Sequence, residues 1–146
     1  MIANHRSYFV RQSGHSGWEV ALADSPGAPP VTVLGVSSSS RGGRVAARLF
    51  EFFRAGCEGQ DVDRLGVVDL RSGEVRLHGQ ELHKTNSPDN DDGPPGYSVC
   101  RIHTTVAGLH KGEPLLTAWS ADEADRLIVA LQNAYEEGRA VLSRCQ

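Results

Sequence analysis

The sequence predicts an α+β fold, with about seven largely antiparallel strands and two amphipathic helices in the order βββα-ββββα. Three observations predict it. β-favouring runs come in pairs joined by short Gly- or Ser-containing connections, only two stretches carry a helical period, and the halves repeat one order of elements. A single domain over residues 1–146 is expected, with pseudo-repeats over about 5–59 and 62–146. A chain of this length buries roughly 68–70% of its unfolded surface, enough for a core without staples.

Tyr8 to Arg11 and Trp18 to Ala23 read as a hairpin across a connection holding Gly14 and Gly17. "SPGAPP" (25–30) breaks the chain before a third strand, Val31 to Val36. "GVSSSSRGG" (35–43) follows as a loop. From near Arg44, Val45, Ala46, Leu49, Phe50, Phe52 and Phe53 fall at helical spacing, with Gly56 as the stop.

"LGVVDL" and "VRLHGQEL" flank "RSGE", whose Ser72-Gly73 suits a tight antiparallel turn. Residues 83–96, "HKTNSPDNDDGPPG", read as a mobile loop. Tyr97 to Val106 and Leu115 to Trp119 give two more strands around "AGLHKGEP". Ser120-Ala-Asp-Glu123 is a capping box that opens the second helix, where Leu127, Ile128, Leu131, Tyr135 and Leu142 share one side. Gly138 is read as the end of its well-packed part. Val45, Ala46, Leu49, Phe53 and Gly56 match Leu127, Ile128, Leu131, Tyr135 and Gly138 at one constant offset. Ser37 pairs with Ser120, Pro30 with Pro114 and Trp18 with Tyr97 after small shifts, so an internal duplication is expected.

The net charge of −3 works against non-specific nucleic-acid binding, which depends on neutralising phosphates. Cys57, Cys100 and Cys145 are odd in number and far apart, which fits reduced thiols rather than a disulfide framework or a metal knuckle. His78 and His83, and the acidic "DNDDG" run, lack metal-ligand spacing, so no metal and no cofactor is expected. No signal-peptide core and no apolar run of about 20 residues is visible, so a cytoplasmic protein without membrane partners is expected.

"VTVLGVSSSSRGG" resembles the phosphate loop of the flavodoxin-like NADPH-dependent FMN reductases, with Gly35, Ser37, Ser39 and Arg41 in the motif places. That resemblance implies an anion at a helix N-terminus. The alternating strands and helices of a doubly wound sheet do not follow it. His5-Arg-Ser7 and His103-Thr-Thr105 resemble the paired motifs of the two-histidine phosphoesterases, which implies His5 and His103 as acid and base.

Arg6, Tyr8 and Arg11, with Trp18 opposite, supply stacking and positive charge on the first hairpin, and Arg41, Arg44 and Arg48 line one side of the first helix. "YFVRQSGHSGWEVALAD" followed by "ARLFEFF" is similar to the opening hairpin and closing helix of a repeat in the PUR and Whirly-like proteins. The resemblance implies single-stranded nucleic-acid binding on the sheet; the acidic net charge and a first unit of three strands depart from it. No catalytic residues are assigned. A non-catalytic binding or regulatory protein that engages another protein through sheet edge, sheet face or loop 83–96 therefore ranks first. A single-stranded nucleic-acid binder ranks second, and an enzyme acting on a phosphate-containing substrate third. A homodimer stays open.

Overall fold

The structure, a computed structural model, describes residues 6–14, 17–62, 64–78 and 96–144. It is α+β, in the order β1 (Ser7–Ser13), β2 (Gly17–Ala23), β3 (Val31–Val36), α1 (Ser39–Cys57), β4 (Arg64–Asp69), β5 (Val75–Leu77), β6 (Tyr97–Thr105), β7 (Gly108–Ala118) and α2 (Ala121–Arg144). The strands form two open antiparallel sheets, ordered β1-β2-β3 and β5-β4-β6-β7. Two compact units result, one comprising the chain up to Asp61 and again from Ala130, the other Val62–Val129, so α2 is shared between them.

In the first unit the hairpin pairs Ser7 with Ala23 through Ser13 with Gly17 without interruption, whereas β2 meets β3 with a register shift between Val20 and Ala21. Alternation along the strands puts Tyr8, Val10, Trp18 and Val20 on one face and Phe9, Arg11 and Glu19 on the other. α1 packs on the Val10 face. Gly42 makes this contact close, since a Cβ there would fall 2.9 Å from both Val10 methyls. Val20, Leu49, Phe52, Phe53 and Leu131 are buried in this unit.

The serine-rich segment is thus not a loop. Ser38 caps α1 by accepting from the Arg41 amide at 3.2 Å, and Ser39 to Gly43 form the opening turns of the helix, which begins before the expected start near Arg44. Composition misread these glycines, because Gly42 is selected for its approach to the sheet. The helix ends one residue past Gly56. Glu58 is its C-cap, Gly59 adopts φ 70°, and the Gly59 and Gln60 amides donate to the Gly56 and Ala55 carbonyls, a Schellman closure.

Gly56 and Gly138 do something else. A Cβ on Gly56 would lie 2.2 Å from the Tyr135 carbonyl oxygen, and one on Gly138 would lie 2.1 Å from the Phe53 carbonyl oxygen. The two helices cross backbone to backbone, and the contact is reciprocal at the offset seen in the sequence. α2 continues as helix through Gly138 to Arg144, and none of residues 139–144 is fully buried, so its well-packed part ends at Gly138 as expected.

In the second unit Leu65, Val67, Val99, Leu127 and Ile128 are buried, and Val68, Cys100 and Ile102 form a cluster with Val75, Leu77 and Leu109. β7 begins at Gly108, so most of "AGLHKGEP" is strand; register shifts around Cys100 absorb Pro114, which an edge strand tolerates. Cys100 is a buried free thiol, and Cys145 lies outside the described residues. No helix of the described residues is long and apolar enough to cross a membrane.

The crossing yields a direct expectation. Gly56→Ala and Gly138→Ala each force the helices apart and lower stability in urea denaturation by about 3 kcal/mol, the upper end for overpacking. Gly43→Ala, where a Cβ meets nothing within 4 Å, instead raises stability by about 0.5–1 kcal/mol through helix propensity.

Candidate functional site

Open sheets expose strand edges, and stable proteins blunt them with short strands, proline, lysine or bulges. Among the described residues the edges are β1, β3, β5 and β7. β3 follows Pro29-Pro30 and sits across the register shift in β2. β5 has only 3 residues. β7 carries Lys111 and Pro114 and pairs irregularly. Among the described residues β1 has none of these four devices, and its one charge, Arg11, is matched by Glu19; its 7 residues, SYFVRQS, are regular and rich in β-favouring side chains.

Beside that edge runs an open groove of about 550 Å³, lined by Tyr8, Phe9 and Val10 from β1 and by Gly43, Ala47 and Phe50 from α1, with Arg6 bordering it. Its helical wall consists of small residues one turn apart, followed by a half-buried phenylalanine. The groove is shallow and apolar, and it adjoins the side of β1 that pairs with no strand among the described residues.

Arg6 is almost covered, with 11% of its side chain exposed. Its guanidinium lies 4.4 Å from the Phe53 ring centre, donates to Tyr8 Oη at 3.2 Å, and pairs with Asp24 at 2.6 Å and Glu137 at 3.0 Å. Burial disfavours the cation, but the bonds to Tyr8 and the two carboxylates outweigh it and hold Arg6 more firmly protonated than a free arginine. Burial also pushes the Tyr8 phenol above its ordinary value of 10.0, with Arg6 opposing.

Arg11 faces the other way. It pairs across the hairpin with Glu19 and donates to Thr32 Oγ1 at 3.1 Å, while Thr32 donates to Glu19 at 3.0 Å. Arg11 and Thr32 hold the Glu19 carboxyl below its usual range. The expected platform of Arg6, Tyr8, Arg11 and Trp18 is therefore divided: Tyr8 and half-buried Trp18 share the face on which α1 packs, and Arg11 occupies the reverse. Arg41, Arg44 and Arg48 do share a flank of α1, but not the flank that lines the groove. Arg48 pairs with Glu51 at 2.9 Å, and Arg44 is exposed.

Of the other candidates, His103 is exposed on β6, while His5, His83 and residues 83–95 of the expected loop lie outside the described residues. In the second unit Arg76 grips Asp125 with two bonds, 3.1 and 2.9 Å, and His78 Nδ1 lies 3.2 Å from the same carboxylate. Burial works against the Asp125 charge, yet Arg76 and His78 keep its carboxyl below the ordinary range. No group of three or more His, Cys, Asp or Glu side chains able to hold a metal converges among the described residues.

Sequence reasoning assigned Phe50 to the buried helix face, read Ser7 only within the His5-Arg-Ser7 motif, and passed over Phe9, Gly43 and Ala47 as site residues. Their signal was present as a strand without edge protection and as small residues at 43, 46 and 47 on one helix flank. No family model matches the chain, and no curated protein and no solved structure matches it.

Tyr8 gives a pH dependence with a defined sign. The folded state keeps the phenolic proton above pH 10.0, where the unfolded chain releases it, so stability falls as pH rises from there. Urea denaturation between about pH 9 and pH 11 shows that fall in the native protein, and Tyr8→Phe flattens it.

Proposed function

We propose that the protein is a non-catalytic binding module that takes an extended segment of a partner protein as an added strand on β1. The observation that carries this reading is the unprotected, regular edge of β1 beside an apolar groove. Strand addition suits such a surface because backbone hydrogen bonds supply affinity and pockets for alternate side chains supply selectivity. A bound strand would complete the β1 ladder and bring every second side chain over Gly43, Ala47 and Phe50.

The arginines favour a protein over a nucleic acid. Arg6, Arg11 and Arg48 are joined to carboxylates of the same chain, and the aromatic residues expected to stack on bases are turned toward α1. Cations already neutralised release few counterions from a polyanion.

Selection of linear peptides from a display library on the immobilised protein tests the proposal. Enriched peptides are expected to alternate apolar and polar residues, and Ala47→Glu, at an exposed position on the groove wall, is expected to weaken them at least about tenfold with an unchanged circular dichroism spectrum. Arg44→Ala leaves them unchanged. Peptides indifferent to Ala47→Glu, or oligonucleotide binding with a steep salt dependence abolished by Arg44→Ala, would contradict it.

A further inference from the structure

The second unit contains, in its own sheet, a strand, β5, that has no counterpart among the described residues of the first unit. Ser38 and Ser120 each accept from the amide three residues ahead, at 3.2 and 3.1 Å, and they stand at the same offset as Gly56 and Gly138. β3 and β7 keep this offset, Val36 pairing with Trp18 and Ala118 with Tyr97. One strand further out, Gln12 opposes Trp18 and Asp69 opposes Tyr97, so β1 corresponds to β4. Beyond β4 lies β5; beyond β1, among the described residues, lies no strand.

β5 shows what this position holds. Val75, Arg76 and Leu77 oppose Val68, Val67 and Gly66, whose counterparts on β1 are Arg11, Val10 and Phe9. Arg76 crosses to the helix and is gripped by Asp125. At the common offset the counterpart of Asp125 is Gly43, on the groove wall, and those of Ile128 and Gln132 are Ala46 and Phe50. The first unit thus keeps the space for an inward-pointing side chain and removes the carboxylate that would neutralise a cation there. Arg6, the cation bordering the groove, is already matched by Asp24 and Glu137.

Resting on the strand-addition reading, we infer that the partner segment runs antiparallel to β1 and places a large uncharged apolar side chain opposite Val10, over Gly43, Ala46 and Phe50. One difference from β5 follows. A Cβ at Gly66 would lie 2.2 Å from the Arg76 carbonyl oxygen, so Phe9 at the matching place keeps the incoming strand at ordinary ladder spacing.

Blocked heptapeptides Thr-Thr-Val-Xaa-Leu-Thr-Thr, with Xaa as Leu, Phe, Arg or Asp, titrated into the ¹⁵N-labelled full chain, test this. The Leu and Phe peptides are expected to shift the amides of Ser7–Ser13 and to bind at least about tenfold more tightly than the Arg peptide. Gly43→Asp, at a site where a Cβ meets nothing within 4 Å, is expected to reverse the Leu and Arg order. The native-chain ratio stands alone if that variant does not fold. Arg binding as well as Leu would overturn the inference while leaving strand addition intact. A set of peptides of which none moves the β1 amides would overturn strand addition itself. A concentration-dependent dimer of the peptide-free protein, shifting the same amides, would assign the edge to a second copy and also overturn the inference.

Discussion

The first unit is organised around one contact, the backbone crossing of α1 and α2 at Gly56 and Gly138. Helices normally stand 8–10 Å apart because side chains intervene. Glycine at both crossing points removes that spacer, and each helix then presents a carbonyl to the other's glycine. α1 is thereby used on two sides. Its Gly42, Val45 and Leu49 positions are buried, with Gly42 against the Val10 face of the sheet, and its Phe53 and Gly56 positions face α2. The flank with Gly43, Ala47 and Phe50 is left uncovered beside β1, and that flank is the groove.

Arg6 braces this arrangement. Its guanidinium lies over Phe53, whose carbonyl meets Gly138, and it binds Glu137 of α2, Asp24 after β2 and Tyr8 of β1. A cation so enclosed contributes through stem packing, ring contact and charge-assisted bonds together. It fixes the start of β1 against both helices, so the groove's border is rigid and electrically balanced. The same satisfaction that makes Arg6 a good brace makes it a poor phosphate ligand.

The fold was largely legible because its signals are local. Hairpin runs, the capping serine at 120 and the apolar helix spacing each depend on a few neighbouring residues, and each formed an element in the place expected. Gly42 was misread as loop because its reason is distant, the approach to Val10. Gly56 and Gly138 do stand where α1 ends and where the buried part of α2 ends, but their contacts with Tyr135 and Phe53 were not visible in composition. The repeat offset did hold the clue, since Gly56 and Gly138 matched before any contact was known. The cap itself shows the offset more sharply, for Ser38, not Ser37, is the partner of Ser120. The candidate site was hidden for a different reason: an edge is defined by what fails to pair with it, and a groove by small residues that carry no chemical signature.

The account turns on β1 being an edge whose outward backbone groups are open. Hydrogen exchange resolved to single amides across Ser7–Ser13 measures this directly in the free protein. Amides bonded to β2 should be protected and those between them should exchange rapidly, a pattern of period two along the strand. Uniform slow exchange across all of β1, in protein shown to be monomeric, would mean that the edge is already covered and would contradict the account.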